Sequence, residues 1–368
     1  VILLVALVAV AATQTDLGAP GWSCNADVMK KSKSVPTSVH ALRPADIEIV
    51  GALGDSLTAG NGAGAPKGDI LGVAITYRGL TFSVGGDKTL DEHISMANVL
   101  KKFNPDVYGY SIKTGNAYSN AHLNEGVPGA RSAGILSQAN TLVSDLKKNR
   151  KDDYKTAWKL VHIFIGANDM CAWCDHQDTE SAENYRDNIR KAVQVLQQEL
   201  PRTIVVLTGM VDVGLLRKAN SVEPGACLVM HDFECECVAK KSVTDEQLTN
   251  EAKKYAQMEQ ELQDSGEFDT SDDFTLVIQP FFEGVTDLCR NPDGSVNMDF
   301  FAPDCFHFSG FGHAIVGRNL WNNMVQSVGG KTVANLTTSN PLNCPDAACP
   351  FIRTTKNSAN CGQYITPP

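Results

Sequence analysis

Four short apolar runs punctuate the chain, and each passes into a turn. Residues 47–53 (Ile-Glu-Ile-Val-Gly-Ala-Leu) lead straight into Gly54, Asp55 and Ser56, and residues 159–165 end at Gly166, Ala167, Asn168 and Asp169. Residues 202–209 and 274–278 repeat the theme. Runs of this length, rich in β-branched residues, predict strands. They are largely continuous in apolar character, the signature of strands covered on both faces by helices. Segments of helical period at 182–199 and 244–263 fall between the later strands. Strands alternating with helices predict an α/β fold, a three-layer α/β/α sandwich around a parallel sheet. In such sheets ligands bind at the carboxyl ends of the strands, where the 54–56 and 166–169 turns fall.

Periodicity also sets the expected organisation. One catalytic domain is expected over 46–330, with a loop-rich insertion at 210–243. Residues 12–45, rich in Ser, Pro, Lys and Ala, read as an extended N-terminal arm. Residues 331–368 hold three cysteines and read as a disulfide-pinned tail carrying a glycosylation sequon at Asn335. The opening VILLVALVAVAA is shorter than the roughly 20 residues that span a bilayer. With Ala9-Val10-Ala11 as a small-x-small cleavage pattern, residues 1–11 read as part of a signal peptide; a buried N-terminal strand is the alternative. Later apolar runs are too short to anchor the chain, so it is expected to be secreted, unless it continues beyond Pro368 to an anchor.

Composition narrows the function. The chain has 368 residues, 43% hydrophobic and 20% charged, as a soluble globular protein does. A net charge of −10 and no Lys/Arg stripe interleaved with aromatics exclude a phosphate-backbone partner. Nothing in the pattern implies a protein partner or a cofactor. Eleven cysteines point to an oxidising compartment and leave at least one unpaired. Cys171, Cys174, Cys235 and Cys237 also compose a possible four-thiolate zinc set, although the Cys-x-Cys spacing is tight for one and export favours disulfides.

Serine chemistry needs a Ser on an exposed turn, a His in reach and a carboxylate to orient that His. Ser56 sits on such a turn, though Asp55-Ser56 also reads as a plain helix cap. His307 has Asp304 three residues before it, a spacing that lets the carboxylate orient the ring; a surface His near a helix start is the alternative. Asp55 or Asp169 in the orienting role is a second option. Candidate donors to an oxyanion are the Ser56 N–H, the Gly129 N–H at an expected helix start and the Asn168 amide. Gly129 and Asn168 taken singly are ordinary turn residues.

Taken together, Gly54-Asp55-Ser56-Leu57, Gly129, Gly166-Ala167-Asn168-Asp169 and Asp304 with His307 resemble the four blocks of the SGNH (GDSL) hydrolase family. Residues 52–64, Tyr77-Arg78-Gly79-Leu80, residues 83–87 and residues 301–309 are similar to its animal phospholipase B branch. The resemblance implies a flavodoxin-like sheet, a metal-free triad of Ser56, His307 and Asp304, and ester hydrolysis through an acyl-enzyme. It further implies phospholipid or lysophospholipid substrates and transient contact with a lipid surface. The mammalian relatives carry tandem repeats and a membrane anchor, neither of which this sequence displays. An esterase acting on acetyl or retinyl esters is the neighbouring alternative, and a non-catalytic secreted binder on the same scaffold the distant one.

Overall fold

The structure is a computed structural model and describes residues 16–365 apart from 224 and 335. The expected leader at 1–11 and the sequon residue Asn335 lie outside the described residues. Strands β1 (Ile49–Gly54), β2 (Lys159–Phe164), β3 (Thr203–Thr208) and β4 (Phe274–Gln279) form one sheet in the order β1-β2-β3-β4, every pair parallel. Every residue of all four strands is buried, which explains why polar alternation is missing from their sequences.

On the far side of β1 the sheet continues without a regular strand. Tyr108 and Asn124 bridge Ile49 and Ala52 in parallel. The Val50 N–H donates to the Tyr108 carbonyl at 2.8 Å and the Ala52 N–H to the Leu123 carbonyl at 2.9 Å. Counted as the second element of the chain, this segment gives the order 2-1-3-4-5 of flavodoxin-like sheets. No periodic run announces it in the sequence.

Helices α1 (Ser56–Ala59), α2 (Ile135–Asn149), α3 (Ala182–Glu199), α4 (Ala226–Glu234), α5 (Asp245–Asp264) and α6 (Gly310–Met324) matter most for the site. Two begin at legible caps. Ser181 accepts the Asn184 N–H ahead of α3, and Thr244 with Gln247 forms a capping box ahead of α5. A Cβ on Gly51 would meet Leu142 of α2, whereas His162 and Phe164, of opposite parity to Gly51's partner Val161, pack on Phe82, which stacks on His313 of α6. Side chains alternate between the faces of a strand, so α2 and α6 cover opposite faces. Helices α2, α3 and α5 pack side by side, completing the α/β/α layers.

The 210–243 insertion departs from the loop-rich expectation. It contains a 3₁₀ turn at Val213–Leu215 and helices at Leu216–Val222, α4 and Glu236–Ala239. Helices this short are marginal alone and too brief to display a period; tertiary contacts and cross-links hold them. Cys171 pairs with Cys235, Cys174 with Cys237, and Cys227 with Cys305. The four thiols that compose a zinc set in sequence are thus joined as two disulfides. Cys24–Cys344 ties the segment before β1 to the segment after α6, and Trp22 packs edge-on against Trp321 of α6. Cys349–Cys361 closes a small loop, and Cys289 is free and buried. Among the described residues, no helix is long and apolar enough to cross a membrane.

Candidate active site

The end of β1 brings the backbone against its neighbours too closely for a side chain. A Cβ on Gly54 would lie 2.1 Å from Thr58 Oγ1 and 2.3 Å from the Phe164 carbonyl oxygen, so the turn requires glycine. Gln138 of α2 holds the same residue from the other side. Its Oε1 accepts the Gly54 N–H and its Nε2 donates to the Gly54 carbonyl, both at 2.8 Å. Asp55 then caps α1, its Oδ1 accepting the Leu57 N–H at 2.9 Å. The capping and nucleophile readings of Asp55-Ser56 therefore describe one turn, in which the cap fixes how Ser56 is presented. Ser56 is the first residue of α1, so its N–H has no acceptor within the helix.

His307 approaches from the irregular stretch before α6. Asp304 shapes that turn: its Oδ1 accepts the Phe306 and His307 N–H groups at 3.0 Å each, and its Oδ2 lies 2.5 Å from His307 Nδ1. The other ring nitrogen, Nε2, lies 2.7 Å from Ser56 Oγ. Both Asp304 and His307 are buried. Burial alone would raise the Asp304 carboxyl, but the His307 hydrogen bond and charge and two backbone donors hold it below its ordinary value. Burial alone would lower the His307 imidazole, yet the Asp304 hydrogen bond and charge outweigh it, and the ring binds its proton more tightly than an ordinary histidine.

The other two carboxylates of the sequence argument do not hydrogen-bond to the imidazole. Asp55 serves the cap, and complete burial pushes its carboxyl up to about 7. Asp169 accepts the Ser132 N–H at 2.9 Å and its hydroxyl at 2.5 Å. That grip laces the 166–169 turn to the 129–132 turn, and Asn168 adds a second stitch, its Nδ2 donating to the Ala130 carbonyl at 3.0 Å. Gly129 stands in a turn at φ +75°, three residues ahead of the first 3₁₀ turn leading into α2 rather than at the helix start itself.

Gly129 and Asn168 line a shallow depression with Arg131, Phe233 and Glu234. A second cavity is lined almost entirely by apolar side chains, including Leu57, Ala167, Phe282, Phe301 and Phe306. Three of these are the immediate chain neighbours of Ser56, Asn168 and His307.

Gln138 and Glu234 are absent from the sequence reading. Gln138 looks like any polar position of an amphipathic helix, and only its contact with Gly54 marks it. Glu234 approaches the Asp304–His307 pair, with carboxylate and ring atoms of the three residues all within 4.8 Å of one another. Burial and the Asp304 charge push its carboxyl up to about 7. Its one sequence signal is the dense cysteine spacing around it. Chemically, a hydroxyl bonded to an imidazole whose far nitrogen is bound to a buried carboxylate is arranged to lose its proton as it attacks a carbonyl.

The GDSL-like Lipase/Acylhydrolase family model matches residues 50–320. Membrane-associated phospholipase B1 of Mus musculus is 43% identical over 334 residues, which cover 89% of this chain and 22% of the relative. The Homo sapiens protein of the same name is 42% identical over 335 residues, 89% of this chain and 23% of the relative. The chain thus spans under a quarter of the length of the curated relatives it matches. A solved structure described as a GDSL-like lipase candidate from Parabacteroides merdae aligns over 77% of this chain and 96% of that one, at 12% identity and a TM-score of 0.35.

Proposed function

The chain belongs to the GDSL-like lipase/acylhydrolase family, on its animal phospholipase B branch, and from that premise we propose that it hydrolyses the acyl esters of glycerophospholipids and lysophospholipids. The observation that carries the reading is the line of hydrogen bonds from Asp304 through His307 to Ser56 at the carboxyl end of β1. Ser56 Oγ attacks the acyl carbonyl carbon while His307 Nε2 takes its proton, and Asp304 keeps the ring oriented through Nδ1–H. The oxyanion is received by the Ser56 and Gly129 N–H groups and the Asn168 amide. Collapse releases the glycerol-side alcohol, protonated by His307, and leaves an acyl-Ser56 ester. Water then attacks that ester with His307 again as the base, releasing the fatty acid.

The apolar cavity beside Leu57 and Phe306 supports an acyl chain as the group retained on the enzyme. Exposed Phe233 lines the depression, and Leu228 and Val229 of the same helix α4 are exposed as well, which supports contact with a lipid surface during turnover. Five disulfides support export to an oxidising compartment, where the protein is extracellular.

The test is release of fatty acid from phosphatidylcholine and lysophosphatidylcholine, with Ser56→Ala alongside. Cleavage of both, lost in the variant by more than about a thousandfold, is expected. Cleavage of short acyl esters alone would keep the catalytic assignment and remove the lipid one. Equal activity of Ser56→Ala and the parent protein would overturn the mechanism.

A further inference from the structure

His307 lies in a stretch between β4 and α6 whose regular structure is two three-residue 3₁₀ turns, Pro280–Phe282 and Met298–Phe300. A loop of that kind does not by itself hold an imidazole to a fraction of an ångström. Its sharpest point is Cys305, which takes φ +61°, the left-handed region that residues with a Cβ avoid. This reversal lets the backbone fold back so that Asp304 Oδ1 collects the N–H groups of Phe306 and His307.

Helix α4 meets that turn with one face. Cys227, His231 and Glu234 follow one another at i, i+4 and i+7, a spacing that stacks them on a single side of a helix. Cys227 is disulfide-bonded to Cys305. His231 Nε2 lies 3.1 Å from the Cys305 carbonyl oxygen and donates to it as the Nε2–H tautomer. Glu234 comes up beside Asp304 and His307. The outward face carries the exposed Leu228, Val229 and Phe233 instead.

The far end of the same segment is tied to the other half of the site. Cys235 and Cys237 are bonded to Cys171 and Cys174, which follow Asn168 by three and six residues. Residues 227–237 therefore run as a cross-linked bar from the Asp304–His307 turn to the 166–169 turn and the short helix Ala167–Ala172 that bears Asn168.

We propose that residues 227–237 act as a brace that sets the distance between these two turns, with Cys227 and His231 as positioning residues that hold the Asp304–His307 turn against Ser56. The proposal rests on the hydrolytic reading given above. In it the brace touches neither substrate nor the reacting atoms through Cys227 or His231; it acts through Cys305.

The experiment compares the parent protein, the double variant Cys227→Ser with Cys305→Ser, His231→Ala and His231→Gln. Each is assayed on a soluble short-chain ester, with rates divided by the fraction of Ser56 that a fluorophosphonate labels at completion. For the double variant, kcat per labelled site falls about tenfold to a hundredfold with KM within about twofold, because misplacement near 1 Å costs that much. His231→Ala loses about fivefold, the scale of one hydrogen bond, and His231→Gln, which retains a donor, recovers most of it. A purely structural role would lower the labelled fraction and leave kcat per site alone, and that result overturns the brace. If the double variant does not fold, the His231 pair decides: unchanged kcat in His231→Ala, or no recovery in His231→Gln, overturns it. A parent protein without Ser56-dependent turnover would instead overturn the hydrolytic reading beneath the proposal.

Discussion

Ser56 and His307 reach the same hydrogen bond from opposite kinds of structure. Ser56 follows directly from β1, a strand buried over its whole length and bonded on both sides. Its turn is enforced by a glycine that nothing larger can replace and by the two hydrogen bonds of Gln138. His307 follows an irregular stretch, and its turn is enforced by Asp304, a left-handed Cys305 and a disulfide to another segment. One half of the site is anchored to the buried sheet by close packing and local hydrogen bonds; the other, off the sheet, is held by polar contacts and a cross-link. The comparison teaches that the two halves should fail differently, the first through stability and the second through chemistry.

The largest expected effect breaks the His307 half without disturbing the sheet. In Asp304→Asn the side-chain oxygen can still accept the Phe306 and His307 N–H groups while the amide NH₂ faces His307 Nδ1. That forces the ring to accept at Nδ1 and carry its proton on Nε2, where it can no longer take one from Ser56. A fall in kcat/KM of about a thousandfold or more is expected, with an unchanged urea midpoint. A variant that loses stability in proportion to activity would make Asp304 a structural residue of the turn.

The Ser56 half breaks in the reverse manner. In Gly54→Ala the added methyl meets Thr58 Oγ1 and the Phe164 carbonyl, so β1, β2 or α1 has to shift. The expected cost is about 2–3 kcal/mol, read as a lower urea midpoint at constant slope. A midpoint equal to the parent's would mean that the strand end yields more easily than its contacts imply.

The smallest effect sharpens the contrast. Groups facing the His307 ring include Asp304, Asp55 and Glu234, which favour the imidazolium, and His313, an unfavourable neighbour. In the proposed mechanism His307 takes the Ser56 proton only when neutral. Since its proton affinity is raised above the ordinary 6.5, activity falls as pH drops through a value above 6.5. Glu234→Gln removes one of the groups that raise it, so the acid limb of kcat/KM moves to lower pH, by a fraction of a unit. A limb that stays in place or moves upward would show that Glu234 does not act on the ring through its charge.

Much of the fold was legible because burial on both faces leaves a continuous apolar run, and β2 and β4 follow directly from theirs. Helices α3 and α5 were legible from their helical period, and the structure adds the caps at Ser181 and the Thr244–Gln247 box. The segment at 108–124 was not, since two isolated bridges need no pattern. Nor was the helical character of 210–243, where cross-links do the work that periodicity does elsewhere. At the site, Ser56, Asp304 and His307 each had an ordinary structural alternative, and the resemblance of the four blocks taken together singled them out; the structure brings the three within hydrogen-bond distance. Gly129 was expected at a helix start and stands earlier, in a turn. Gln138 and Glu234 act across distances of 84 and at least 70 residues in the chain, which no local pattern encodes.

The Cys24–Cys344 bond joins two points 320 residues apart whose Cα atoms lie 5.7 Å from each other. Everything from β1 to α6 lies within that covalent ring. A protease that severs one peptide bond on any exposed loop inside the ring therefore opens it without releasing a fragment, and the nicked molecule keeps its mass until a reductant arrives. The bond turns a cut that would separate Ser56 from His307 into one that leaves them on the same molecule.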